Sequence, residues 1–180
     1  ADIRYMDVAR ITWNGASAPS VTTADVVTAI QTQVSPNWSS FTTLFGDTRD
    51  RAVTFTYGAT LAEPIRLVSR MACESTTFTS FMNTVRDEVY RQLGFTDWKD
   101  RYLVILSPAA GCIWSGRAAM GTFATKGGVM VLHNTASGFV ITHELGHSLG
   151  LGHSNLLRCS TGVADGPWSQ NCKAVEYGGS

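Results

Sequence analysis

Residues 139–153 read FVITHELGHSLGLGH, and their pattern predicts an amphipathic helix over residues 139–149. Three apolar side chains recur at helical spacing and form one face: Ile141, Leu145 and Leu149. His143 and His147 are four residues apart and lie about one turn apart on the other side. Both imidazoles can therefore reach one metal ion, while the apolar face packs into a core.

The residues that follow this helix complete a predicted metal site. Gly150 can take a positive φ without steric cost, so it can end the helix and swing the chain back. His153 then becomes a third ligand. Three neutral imidazoles leave one tetrahedral position open, which is the pattern of a catalytic zinc site. Glu144 lies beside the histidines, where it can act as general base toward a zinc-activated water and then protonate the leaving amine.

Strands and helices alternate through the rest of the chain, which predicts one α+β domain with an α/β-type mixed sheet. The predicted strands are residues 5–13, 53–57, 101–106, 121–125 (an edge strand) and 129–133. The predicted helices begin at Thr22 or Thr23 and at Thr79 or Ser80, and end at Pro36 and at Gly94. Residues 101–106 form a short apolar run, so we expect a central strand buried on both faces. Residues 150–180 lose periodicity and are predicted to be loop-like.

Composition narrows the class of protein. The 180 residues carry 14 Lys+Arg and 14 Asp+Glu, so no basic excess indicates nucleic acid or an anionic membrane as a partner. No apolar run approaches the roughly 18 residues that a membrane helix needs. Charged residues are only 16%, and Ser, Thr and Gly are abundant, which is typical of a secreted protein.

Four cysteines are present, and they allow three pairings. We favour Cys73–Cys112 and Cys159–Cys172, because the last two flank one Gly/Pro-rich stretch. Two disulfides would place the chain outside the reducing cytosol, which again predicts secretion. The alternative is four free thiols in a cytosolic protein.

The pattern HExxHxxGxxH resembles the zinc signature of the metzincins, a clan of zinc-dependent endopeptidases. The resemblance implies that His143, His147 and His153 bind one Zn²⁺ and that Glu144 is the catalytic base. It also implies a twisted sheet of about five strands, with a backing helix and the active-site helix. These elements would form an upper lobe that ends near residue 153, and residues 154–180 would begin a lower lobe.

Further features refine this resemblance. Gly146 and the later Tyr177-Gly178 are most similar to the gametolysin-like group. Metzincins also place a methionine in a tight turn after the third histidine, whereas none of the five methionines here follows His153. We therefore expect this chain to be the front portion of a longer catalytic domain that lacks most of its lower subdomain. A second polypeptide carrying the remaining part is then an expected partner.

The expected function is a secreted zinc endopeptidase acting on protein or peptide substrates. In metzincins the region matching residues 114–123 is an edge strand that lines the substrate cleft. His133 is expected to be structural, and Tyr177 is a weaker candidate for oxyanion stabilisation. A calcium ion is compatible with the family, but no D-x-D-x-D-G loop marks a site.

Two other functions stay open at this stage. In gluzincins the third zinc ligand is a downstream glutamate, a role that Glu176 could fill in place of His153. A zinc-containing interaction module, or an inactive fragment, would also carry the histidines without useful catalysis. Glu144 argues against a purely structural site, which has no need of a base and usually closes its fourth position with a protein ligand.

Overall fold

A six-stranded mixed sheet organises the first of two compact units, Ala1–Gly150 and Leu151–Ser180. The computed structural model describes residues 2–45, 53–153, 155–159 and 172–176, and describes side chains for residues 2–42 and 53–153. The first unit contains β1 (Asp2–Thr12), α1 (Thr23–Ala29), a π-helical segment (Ile30–Val34), α2 (Ser35–Phe45), β2 (Val53–Thr60), β3 (Ile65–Arg66), α3 (Phe78–Leu93), β4 (Arg101–Ser107), β5 (Gly116–Ala118), β6 (Gly128–His133) and α4 (Gly138–Ser148).

The sheet confirms the predicted mixed α/β arrangement. Its strands follow the order β2-β1-β4-β6-β5, and the short strand β3 pairs with β1. β2, β1, β4 and β6 run parallel to one another, whereas β5 is antiparallel to β6. Within the described residues, no helix combines the length and apolar character needed to cross a membrane.

The central strand β4 is buried on both faces, as its apolar run predicts. Tyr102, Val104 and Leu106 pack into the core that includes buried residues of α1, the π-helical segment and α4. Leu103 and Ile105 pack into the opposite core with buried residues of α3. Each fully buried Val, Leu or Ile side chain stabilises the fold by about 1.5–3 kcal/mol.

The first helix begins where the sequence predicts but does not end at Pro36. Thr22 caps α1 in a capping box, accepting from the Asp25 N–H while the Asp25 carboxylate accepts from the Thr22 N–H. The helix then widens into the π-helical segment, in which the Ser35 N–H donates to the Ile30 carbonyl. Pro36 follows as the second residue of α2. A proline is tolerated in the first turn of a helix, so the widened segment allows a new α-helical stretch to begin.

The predicted edge strand at residues 121–125 is also wrong. The edge strand is β5, which pairs Gly116 with Leu132 and Ala118 with Met130. Residues 121–125 form no strand, because the Gly121 N–H donates to the His147 carbonyl of α4 instead of to a neighbouring strand.

The prediction for the second helix is nearly correct. α3 begins at Phe78, one residue before Thr79, and Gly94 is its C-cap residue, with a left-handed φ of 78°.

A buried carboxylate joins β1 to its neighbours. Asp7 is 0% exposed and accepts two hydrogen bonds from the Arg101 guanidinium of β4, both 2.8 Å long. The Tyr90 hydroxyl of α3 and the Ala59 N–H also donate to it, each at 2.8 Å. Burial, and then the charge of Asp7, raise the pKa of Tyr90 well above its usual value, so the phenol keeps its proton for this bond.

The predicted Cys73–Cys112 disulfide is present, with Cα atoms 5.3 Å apart and 39 residues of sequence separation. Closing a loop of that size stabilises the fold by about 4 kcal/mol in the chain-entropy model. The Cys73 carbonyl also accepts from the Trp114 indole (3.2 Å) and from Arg117 (2.8 Å). These contacts attach the segment before α3 to the segment that carries β5. A disulfide is consistent with an extracellular protein.

The second unit contains two antiparallel strands, β7 (Asn155–Cys159) and β8 (Cys172–Glu176). These ten residues are therefore not loop-like, contrary to the prediction from their lack of periodicity. The register sets Cys159 opposite Cys172. Their side chains, and that of Glu176, lie outside the described residues, as does all of Tyr177. The Cys159–Cys172 disulfide stays a prediction.

Candidate metal centre

The helix α4 carries two of the predicted ligands and is fixed by its apolar face. Ser137 caps its first turn by accepting from the Val140 N–H at 3.4 Å. The predicted apolar residues Ile141, Leu145 and Leu149 are all buried in the core on that side of the sheet. This packing sets the rotation of the helix about its axis. The histidines on the other side remain at least partly exposed.

Three imidazoles come together in a group that could hold a metal ion. The Nε2 atoms of His143 and His147 lie 3.1 Å apart, and their rings are almost perpendicular, at 88°. One ligand nitrogen of each of His143, His147 and His153 lies within 4.8 Å of the others. Tetrahedral nitrogen ligands at roughly 2.0–2.1 Å from zinc are roughly 3.4 Å apart. The spacing of the first pair is close to this value, and three imidazoles are a donor set that zinc accepts, so the group could hold such an ion.

Gly150 makes the turn that follows the helix, as the sequence predicts. Its φ is +95°, and its N–H donates to the His147 carbonyl at 3.0 Å. The Gly121 N–H donates to the same carbonyl, also at 3.0 Å. A Cβ at Gly150 would lie only 3.1 Å from the Gly121 carbonyl oxygen. Both the backbone conformation and the available space therefore favour glycine at this position.

Glu144 lies against the edge strand. It is 6% exposed, and a Cβ added at Gly116 of β5 would lie 2.7 Å from its Cγ and 3.0 Å from its Oε1. The same Cβ would lie 2.6 Å from a methyl carbon of Val140. The absence of a side chain at Gly116 therefore lets the Glu144 carboxylate sit between α4 and β5.

A methyl group at Gly116 should displace that carboxylate. If the chain has the peptidase activity expected from its sequence, Gly116→Ala should lower peptide hydrolysis by tenfold to a hundredfold, because a displacement of about 1 Å can cost that much in rate. Its zinc content should be unchanged, since the atoms nearest to the added methyl group belong to Val140 and Glu144 rather than to a histidine. Hydrolysis of a fluorogenic peptide and metal analysis check this, with Ser115→Ala, an exposed neighbour, as the control. Wild-type hydrolysis by Gly116→Ala would show that this contact does not place Glu144.

His133 and the described tryptophans make structural contacts. His133 accepts the Ala110 N–H at Nε2 (2.8 Å), and its ring contacts Trp114 edge-on. Trp13 and Trp38 are buried, and Trp98 and Trp114 pack against the core. Trp168 lies outside the described residues.

Sequence reasoning missed the glycines that support this site. Gly116 faces Glu144, and Gly121 faces the last turn of α4. The signal was the density of glycine in residues 116–128, which contain four, immediately upstream of the strand that leads into the motif. Glycines in such a stretch often mark close approach of two backbones.

Neither the protein-family models nor the curated proteins compared with this sequence give a match. A solved structure described as "Structure of a chaperone-substrate complex" matches with 17% sequence identity and a TM-score of 0.43. The match covers 85% of this chain and 25% of that chain, so this chain spans about a quarter of its length. Similarity at this level does not establish a shared fold or function.

Proposed function

We propose that this protein is a secreted zinc endopeptidase of the metzincin type. The observation that carries the proposal is the convergence of His143, His147 and His153, two of them with Nε2 atoms 3.1 Å apart. A structural zinc site normally has four protein ligands. Among the residues that the structure describes, the ligand group comprises three histidines, and a glutamate follows the first of them in the sequence.

The three histidines and Glu144 have different roles in the proposed peptide hydrolysis. The three histidines hold the ion through neutral ring nitrogens. Zinc, when bound, supplies a Lewis acid that polarises the scissile carbonyl and lowers the pKa of a water to roughly 7. Glu144 accepts a proton on its carboxylate and delivers it to the leaving amine. Glu144 is buried against β5 and follows His143 directly in the sequence, which supports its assignment as the base.

The edge strand β5 offers a place for an extended substrate. It pairs with β6 on one side and ends the order of the sheet. A peptide can add to such an edge through main-chain hydrogen bonds. Glu144 lies against Gly116 of this strand, so a peptide bound there would pass close to the proposed base. The Cys73–Cys112 disulfide supports an extracellular site of action.

Casein cleavage with and without a chelator tests the proposal. We expect the zinc-loaded protein to cleave casein, to lose activity with 1,10-phenanthroline and to regain it with added zinc. Protons compete with metal for imidazole nitrogens, so activity should also fall at acidic pH. Zinc binding without cleavage of casein or of a peptide library would favour the interaction module. Cleavage that resists the chelator would exclude a metallopeptidase.

A further inference from the structure

The segment between β5 and β6, residues 119–127, lies on the metal-binding end of α4. We call it the β5–β6 loop. Its Gly121 N–H donates to the His147 carbonyl at 3.0 Å. A Cβ at Gly121 would overlap the Ser148 carbonyl oxygen, so the two backbones are in direct contact. The His147 carbonyl therefore accepts from Gly150 at the end of the helix and also from this loop, which bonds directly to the backbone of a proposed metal ligand.

A buried arginine holds the other side of the loop. Arg4 of β1 is 2% exposed, and its Nη2 donates to the Phe123 carbonyl at 2.9 Å. Its guanidinium carbon also lies 4.8 Å from the centre of the Phe123 ring. The Tyr102 hydroxyl (2.8 Å) and the Asp2 carboxylate (2.9 Å) fix the guanidinium in this position. Hydrogen bonding to Arg4 holds the pKa of Asp2 below its usual value, so the pair stays charged at neutral pH.

The loop itself buries little apolar surface. Its two large apolar side chains, Met120 and Phe123, are 63% and 44% exposed. Hydrophobic packing therefore contributes little to its position. The burial of a charged guanidinium, in contrast, is costly unless its hydrogen bonds are made. Arg4 makes such bonds, and two of its contacts are to the loop.

We propose that Arg4 is a positioning residue for the zinc site, acting through the β5–β6 loop. Arg4 donates to the carbonyl of Phe123, which lies two residues after Gly121 in the loop. Gly121 in turn donates to the His147 carbonyl. These contacts fix the last turn of α4 and the Gly150 turn, after which the chain continues to His153. This inference rests on the zinc site of the proposed function and adds a determinant of its affinity.

Zinc affinity of the full chain tests the proposal. Competition with a chromophoric chelator measures the dissociation constant for zinc without reference to catalysis. Arg4→Met replaces the arginine with an unbranched side chain that resembles its aliphatic stem, and it removes the hydrogen-bond donors and the charge. We expect it to weaken zinc binding by tenfold to a hundredfold, the range seen when groups that orient metal ligands are lost. Arg4→Lys keeps the charge and one donor group, so it should recover part of the loss.

Arg10→Met is the matched control. Arg10 lies on the same strand and also donates to a carbonyl, that of Ala62 at 3.0 Å, which is not in the loop. We expect this variant to bind zinc as the wild type does. Equal losses in both variants, or wild-type affinity in a folded Arg4→Met protein, would overturn the proposal. A purely structural role would lower the thermal stability of the zinc-free protein and leave the affinity of the folded molecules unchanged.

Two further variants keep the test decisive if Arg4→Met does not fold. Phe123→Ala removes a half-exposed ring that stacks on Arg4 and should weaken zinc binding several-fold. Gly121→Ala pushes the loop away from Ser148 and should weaken it at least tenfold. Wild-type affinity in both would refute the role of the loop. A wild-type protein that binds no zinc would refute the proposed function itself, which distinguishes the two failures.

Discussion

Glu144→Gln should lower peptide hydrolysis by about a hundredfold to ten-thousandfold, which is the usual contribution of general acid–base catalysis. The amide has nearly the same shape as the carboxylate, so it fits the same space beside Gly116. It cannot accept a proton at neutral pH, and this is the property that the proposed mechanism needs. Zinc content should stay at the wild-type value, because the metal group consists of histidines.

Hydrolysis of a fluorogenic peptide gives kcat/KM for this comparison, and mass spectrometry of the metal gives zinc content. Glu63→Gln makes the same chemical change at an exposed glutamate and should leave both values unchanged. Wild-type rates in Glu144→Gln would remove the assigned base. Loss of zinc in that variant would instead make Glu144 part of the support for the metal.

Asp7→Asn should destabilise the fold by about 3–5 kcal/mol, the range for breaking a buried ion pair. The carboxylate is fully buried and accepts four hydrogen bonds, two of them from Arg101. An asparagine presents N–H groups where one carboxylate oxygen accepts now. Donors would then face donors, and the Arg101 charge would lose its counterion.

Urea unfolding followed by tryptophan fluorescence measures this loss. Asp87→Asn is the matched control, because Asp87 also pairs with an arginine, Arg86, but is 57% exposed. Exposed pairs contribute about 0–1 kcal/mol, so this variant should unfold almost as the wild type does. Similar small losses in both variants would contradict the account of Asp7 as a buried link between β1, β4 and α3.

Local patterns predicted the parts of the fold that depend on local spacing. The apolar run at residues 101–106 predicted β4, and the spacing of Ile141, Leu145 and Leu149 predicted α4. The helix over Pro36 was missed, because the π-helical segment that accommodates the proline has no marker in the sequence. The edge strand was misplaced, because Gly121 bonds to α4 rather than to a strand, and this depends on tertiary packing.

The candidate site also has a part that local spacing predicts and a part that depends on tertiary contacts. Its three histidines, Glu144 and the Gly150 turn lie within eleven residues, so helical geometry and the freedom of glycine were enough to group them. Gly116, Gly121 and Arg4 support the site from 22 or more residues away in the sequence, and the pairing of distant strands decides which of these residues come into contact. The role of Asp7 could not be predicted from the sequence either, since its hydrogen-bond partners lie in three other elements.

Zinc stoichiometry in the wild type and in single histidine variants tests the central claim most directly. The wild type should hold about one zinc ion per chain, and His143→Ala, His147→Ala and His153→Ala should each hold far less under the same conditions. His133→Gln, at the fourth histidine, should keep its zinc. A wild type purified with zinc that retains none, or a His153→Ala variant that retains a full equivalent, would contradict the account, and the latter would favour Glu176 as the third ligand.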